Sequence, residues 1–184
     1  MINFKEFHSL YEEVKSEDRH ANLMNWFGNS VTHEGGKPKV YYTGTSKDKD
    51  FKSFNLGRHG AWFTSSPHEA STYSTENDSM GHKFTYGGGI EKTNTASRVI
   101  PAHIKAENPY RGDIPHEYRT RDNYKNAQSD FFDTLRAKGH DSWIPDHANG
   151  NLVVVLKHPN QIKSAIGNKG SFSTTKNNIH ETNQ

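Results

Sequence analysis

The longest apolar run in this chain is Leu152-Val153-Val154-Val155-Leu156. Five large aliphatic residues in succession, three of them β-branched, suit a strand covered on both faces, and so a buried central strand. The rest of the fold must be built around it with little apolar material. Only 30% of the 184 residues are hydrophobic, and the mean hydropathy is −1.00. Disordered chains reach similar values, but they are poor in aromatic residues. Three Trp, eight Tyr and ten Phe therefore argue for a core. The length suits one domain rather than two. A small globular domain with a lean core, long loops and polar ends is expected.

Lys and Arg number 23 against 21 acids, giving a formal net charge of +2 and a pI near 8.7. That balance lacks the concentrated basic stripe of a dedicated nucleic-acid binder. The absence of Cys excludes disulfides and cysteine-based metal sites, and fits a reducing compartment. No apolar run approaches the roughly 20 residues that a membrane-spanning helix needs. The first residues also lack the apolar stretch of a secretory signal. A soluble protein with no membrane partner is expected. The twelve His are scattered, with no His-x-x-x-His pair at helical ligand spacing, so no metal site is predicted. Gly87-Gly88-Gly89 lacks the spacing of a phosphate cradle and reads as a flexible loop.

Residues 2–16 carry Phe4, Phe7, Leu10, Tyr11 and Val14 at the spacing of an amphipathic helix. Ser30 to Lys39, with Gly35-Gly36 and Pro38, reads as a linker. Residues 1–30 are thus expected to be a helical appendage to a body at 31–172. Val40-Tyr41-Tyr42-Thr43, stopped by Gly44, predicts a strand ending in a tight turn, and Ala61-Trp62-Phe63-Thr64 a second strand. Ser66, Pro67 and Glu69 fit the N-cap, N1 and N3 of a capping box, opening a helix that runs to about Tyr73.

Ser97 to Ala106 forms a third strand candidate, whose Pro101 argues for an edge or a bulge. Residues 110–125 read as charged and irregular. From Ser129 to Lys138, Phe131, Phe132 and Leu135 share one helical face, and Gly139 follows as the C′ residue. After Ser171 the chain is rich in Ser, Thr, Asn and Lys, and residues 173–184 are expected to be a disordered tail. Short strands mixed with short helices and long connections define an α+β domain.

Four groups of fragments, in this order, resemble an ADP-ribosyltransferase domain, in particular the small ones of phage and mobile-element polyvalent proteins. The first is Val40 to Ser46, followed by Phe51 and Phe54. The second is Gly60 to Ser65, followed by Pro67-His68-Glu69-Ala70 and Tyr73. Ser97 to Pro109, ending Lys105-Ala106-Glu107-Asn108-Pro109, resembles the family's central strand. Leu135 to Ser142, Leu152 to Leu156 and Pro159 to Asn168 follow its closing segment. Together they span roughly residues 38–172. The resemblance implies an α+β fold of ADP-ribosyltransferase type, a split β-sandwich with short helices around an NAD cleft. NAD would be the substrate.

The chemistry sets three demands on such a cleft. Breaking the nicotinamide–ribose bond through an oxocarbenium-like state calls for a flat aromatic wall and close backbone approach to the nicotinamide amide. It also calls for a carboxylate near the ribose. The resemblance assigns the backbone contacts to Gly44, with Thr45 beside it. Trp62 stands where the family has a stacking Tyr, and Phe63 follows on the opposite face of the strand. Thr64 and Ser65 line the same wall, Tyr42 and Tyr73 complete the cofactor-binding set, and Arg58 with His59 meets the pyrophosphate.

Two positions depart from the family's His-Tyr-Glu branch. Thr43 stands where His binds a ribose hydroxyl, and Asn151 stands where an acid opens the last strand. The expected catalytic set is Thr43, Trp62 and Asn151, with Asp146 as the nearest acid able to reach in from the preceding loop. Glu107 and Glu117 are more distant alternatives. The Arg-Ser-Glu branch fits worse, having neither its Glu-x-Glu nor an Arg at position 43.

Three activities follow from the resemblance. The first is mono-ADP-ribosyl transfer from NAD to a macromolecule of an infected host, protein or nucleic acid, in the host cytoplasm. The second is a catalytically impaired NAD- or ADP-ribose-binding or interaction module that counteracts a host system. The third is NAD hydrolysis. Residues 75–95 either contact the acceptor or form a plain hairpin connection. Leu10-Tyr11-Glu12 resembles the Leu-x-Glu cleavage signal of capsid-packaged proteins in large tailed phages, which implies packaging in the virion and trimming after Glu12. A docking or dimerisation segment, or a helix packed on the core, is the alternative. The sequence does not define the oligomeric state.

Overall fold

The computed structural model describes residues 18–45, 52–72, 83–84, 90–91, 98–119, 124–168 and 170–180. The amphipathic segment 2–16, with Leu10-Tyr11-Glu12, lies outside them, as do Tyr73 and the Gly87-Gly88-Gly89 run. The strands are β1 (His33–Glu34), β2 (Lys37–Pro38), β3 (Val40–Thr45), β4 (Ala61–Thr64), β5 (Lys83–Phe84), β6 (Ile90–Glu91), β7 (Arg98–Ile104), β8 (Pro109–Arg111), β9 (Ser142–Ile144), β10 (Leu152–Val155) and β11 (Ile162–Ser164). The helices are α1 (helical over 18–27), α2 (Pro67–Thr72), α3 (His116–Arg119) and α4 (Tyr124–Ala137).

Seven strands form one sheet in the order β11-β7-β3-β4-β10-β9-β8. The apolar run becomes β10, between β4 and β9, and Val153, Val154 and Val155 are fully buried. Alternation along the strands sends Tyr41, Phe63, Ile104, Val153, Val155 and Ile162 into one cluster. The other face gathers Trp143, Val154 and Leu156 beneath Phe131, Phe132 and Leu135 of α4. Truncating one of these large residues, as in Phe132→Ala, would cost about 3–5 kcal/mol.

The helix ends follow their local signals. Gly139, with φ of +88°, closes α4: its N–H donates to the Arg136 carbonyl, and the His140 N–H donates to that of Leu135. That pairing is a Schellman motif. Ser66 Oγ accepts the Glu69 N–H at 3.1 Å, as an N-cap should. The other half of the expected box is elaborated by Thr64, whose hydroxyl accepts the Ser66 N–H and donates to Glu69 Oε2.

β3 pairs with β7 along its whole length, whereas it meets β4 through the single pair Tyr42↔Thr64. The sheet is therefore two half-sheets, β11-β7-β3 and β4-β10-β9-β8, hinged at that pair. β8 and β9 run parallel, the crossover between them being α3 and α4.

Three local expectations change. Pro101 lies in β7, an interior strand, paired with Tyr42. Its carbonyl accepts the Ala165 N–H. Its ring nitrogen faces the same way and cannot donate in return, and Arg19 Nη2 donates to the Ala165 carbonyl at 2.8 Å in place of the missing N–H. Ser30 to Thr32 is no linker. Ser30 Oγ accepts the Ala106 N–H at 2.9 Å, the Thr32 hydroxyl donates to the Ile104 carbonyl, and the Val31 N–H donates to the Ala106 carbonyl.

The segment expected to fray after residue 172 is instead held as far as His180. The Lys163 ammonium, fully buried, donates to the carbonyls of Lys176 and Asn178, and Ile179 is fully buried in the sheet core. A polar segment is ordered here because its backbone satisfies a buried cation. α1 is tied to the same region. Leu23, Trp26 and Phe27 pack with Phe172, and Arg19 donates to the carbonyls of Ala165 and Asn168.

Candidate active site

Continuing the register of Tyr42↔Thr64 would pair Thr43 with Phe63 and Gly44 with Trp62. The strands part instead, and those four residues line a cavity of about 470 Å³ together with Tyr42, Thr64, Glu69, Ala70 and Leu152. The split thus places a strand-end Gly, an indole and a carboxylate around one space. Tyr42, Thr43 and Gly44 come from one half-sheet. Trp62, Phe63, Thr64 and Leu152 come from the other, and α2 closes the end.

Trp62 is the one large aromatic side chain of the described core strands left substantially open, at 36% exposure, while Phe63 beside it is 1% exposed. Its indole is held from behind. Trp143 meets it edge-to-face with centroids 5.8 Å apart, Phe132 lies 6.1 Å away, and its Nε1–H donates to the His59 carbonyl. Gly60, immediately before β4, has φ of +67°, and a Cβ there would lie 2.7 Å from both Val154 Cγ1 and the Val155 carbonyl. Only Gly lets the chain enter β4 this close to β10.

The carboxylate in this cavity is Glu69. It sits at the first turn of α2, tied to Thr64 at the end of β4. A capping-box acid directly behind a strand points back toward that strand's end, which is the sequence signal that could have placed it in the cleft.

The other predicted residues fall as follows. Thr45 ends β3, beyond Gly44, paired with Arg98. Ser65 Oγ donates to Asn151 Oδ1 at 2.9 Å, and Asn151 also receives Lys39 Nζ at 3.3 Å. Asn151 immediately precedes Leu152 but is outside the cavity lining, its amide oxygen engaged by these two donors. Tyr41 braces the same turn, its hydroxyl donating to the Gly150 carbonyl at 2.8 Å. Burial, reinforced by the Glu34 charge, pushes the Tyr41 phenol up to about 12, so it stays a donor.

Asp146 opens a 3-10 turn (Asp146–Ala148) between β9 and β10, exposed and away from the lining. Arg58 is held by Asp130 at 2.8 Å and Asp133 at 2.7 Å on the solvent side of α4. The hydrogen bonds it donates to these two carboxylates, Asp133 first, raise its pKa further. His59 meets Ser129 Oγ at 3.0 Å. Glu107 pairs with Lys105, and Glu117 lies in α3. Among the described residues, no group of three or more His, Asp and Glu is placed to hold a metal ion.

A second cavity of about 520 Å³ adjoins the first, sharing Trp62 and Leu152 with it and adding Asp113, Ile114, Gln128, Trp143 and His147. None of these five was singled out from sequence as a site residue.

An α+β domain whose sheet splits around such a cleft has the ADP-ribosyltransferase architecture. A family model described as "ADP-Ribosyltransferase in polyvalent proteins" matches residues 33–172, and the chain belongs to that family. Neither the curated proteins nor the solved structures contain a match. No helix among the described residues is long and apolar enough to cross a membrane.

Proposed function

We propose that the chain transfers a single ADP-ribose unit from NAD to a host macromolecule. One observation carries this reading: the Gly44 backbone, the Trp62 indole and the Glu69 carboxylate line one cavity. Trp62 offers the flat face for nicotinamide, and the backbone at Thr43 and Gly44 holds its amide. The Thr43 hydroxyl takes a ribose hydroxyl, in place of the family's His. Glu69 supplies the negative charge that the oxocarbenium-like state requires and that Asn151 does not carry. Thr64 orients that carboxylate.

The test is incubation of the purified protein with radiolabelled NAD and a bacterial lysate, beside a Trp62→Ala variant. Label retained on a macromolecule, and lost in the variant, supports the transferase. Protease or nuclease sensitivity of the label then assigns the acceptor class. A second reading is favoured by the engagement of Asn151 with Ser65 and Lys39, which leaves the start of β10 without an acid. It is a module that binds NAD or ADP-ribose without turnover, and NAD binding without nicotinamide release would select it.

A further inference from the structure

The second cavity holds an Asp–His pair that the NAD cleft does not use. β8 and β9 run parallel with Arg111 opposite Ile144, so the segments leaving them emerge side by side at one edge of the sheet. Asp113 follows β8 and His147 follows β9, and His147 Nδ1 meets Asp113 Oδ1 there. That contact leaves Nε2 as the ring's second nitrogen. The two side chains are 62% and 41% exposed, open to an incoming group. The Gly112 carbonyl just before Asp113 is fixed by the Trp143 Nε1–H at 2.7 Å, which anchors the loop that carries the carboxylate.

The geometry points to this cavity as the acceptor site, with His147 as the general base and Asp113 as the residue that positions it. On the transferase reading, the ribose carbon under attack lies in the first cavity. Trp62 and Leu152 line both cavities, so a group seated in the second borders the first.

The chemistry of the walls selects the occupant. Trp62 offers indole surface, Asp113 a negative charge and Gln128 an amide, and among the described residues no Lys or Arg lines the space. A planar cation presenting a face to an indole and N–H groups to a carboxylate fits this set, which describes the guanidinium of an Arg side chain on a protein. In the step, the bond from ribose C1′ to the nicotinamide nitrogen breaks, and its electron pair leaves with neutral nicotinamide. A guanidino nitrogen forms the new bond to C1′ and gives up one proton, which His147 Nε2 takes and passes to water.

The test uses the full chain, radiolabelled NAD and agmatine, a free guanidine, as the acceptor probe. The wild type should form the ADP-ribosyl–agmatine adduct. His147→Ala and His147→Gln should lower adduct formation about 100-fold or more, with NAD affinity, read by tryptophan fluorescence, changed less than twofold. Asp113→Asn should follow the His147 variants, and Asp113→Glu should recover part of the rate, which a purely structural role would not require. An adduct rate unchanged in the His147 variants overturns the assignment. So does labelling that ignores agmatine and is removed by nuclease, since the acceptor is then a nucleic acid. A wild type that binds NAD but forms no adduct overturns the acceptor assignment alone; one that neither binds NAD nor releases nicotinamide removes the transferase reading as well.

Discussion

Two glycines with the same kind of backbone and opposite surroundings allow the packing behind the cleft to be weighed. Gly60 and Gly139 have φ of +67° and +88°, so Ala at either position is forced into the left-handed region. That costs about 1–2 kcal/mol, offset by about 0.4–1 kcal/mol from the stiffer unfolded chain. The balance for Gly139→Ala is a loss of roughly 0–1.5 kcal/mol, because nothing lies within 4 Å of its Cβ position. Gly60→Ala carries the same balance plus a Cβ placed 2.7 Å from Val154 Cγ1 and from the Val155 carbonyl. The carbonyl belongs to a central strand and cannot rotate away, so an overpacking cost of about 1–3 kcal/mol is added. At about 2–4 °C per kcal/mol for a chain of this size, Gly60→Ala should melt roughly 2–12 °C below Gly139→Ala. Differential scanning calorimetry of the two variants measures that gap directly. At temperatures where both are folded, only Gly60→Ala should weaken NAD binding, since Gly60 sets the entry of the strand that carries Trp62. Equal melting temperatures would refute the close approach of β4 to β10 at this point.

Other perturbations address the cleft, the pH response and the C-terminal segment. Glu69→Gln keeps the Thr64 contact possible but removes the charge, and should lower transfer roughly 10²–10³-fold with NAD affinity changed little; single-turnover label transfer and equilibrium binding separate the two. His103 is buried in β7, and burial lowers its pKa, the Lys39 carbonyl offsetting this in part. As pH falls below the ordinary His value of 6.5, the unfolded chain therefore takes up the proton first. Thermal stability should hold above that pH and decline below it, and His103→Gln should flatten the decline. Ile179→Ala should cost about 2–5 kcal/mol, although it lies in a segment of polar composition. The exposed Ile166→Ala should stay within about 0.5 kcal/mol of wild type, as denaturant midpoints would show.

What was legible in the sequence is what local physics determines. β10 is announced by its run of aliphatic residues, α2 by Ser66-Pro67 and Glu69, and the end of α4 by Gly139. The placement of Tyr42, Thr43, Gly44, Trp62, Phe63 and Thr64 around one cavity follows from the resemblance, which carries the order of the strands. The order of the C-terminal segment was hidden because its partner is Lys163, a residue whose composition argues for the surface; burial of its ammonium is decided by two carbonyls distant in sequence. Asp113 and His147 were hidden for a similar reason. They lie 34 positions apart and meet only because β8 and β9 are parallel.

The split between β3 and β4 is likewise a competition that no local pattern reveals. β3 satisfies its ladder on β7 over six pairs, and Ala61 to Thr64 satisfies its own on β10 over four. Trp62 adds a lateral pull, because its indole packs on Trp143 of its own half-sheet and on Phe132 of α4. Each half-sheet is thus bound more extensively within itself than to the other, and the single pair Tyr42↔Thr64 leaves the rest of the interface open as a cleft. Glu69 is tied to the Trp62 half through Thr64, while its helix α2 also packs on β3 and β7, the half that carries Thr43 and Gly44. A ligand that contacts Gly44 and Trp62 together must therefore bridge the halves, so its binding free energy also serves to hold them at one spacing. Substitutions at Tyr42 or Thr64 that loosen the hinge should consequently weaken ligand binding beyond the loss of their own contacts with the cavity.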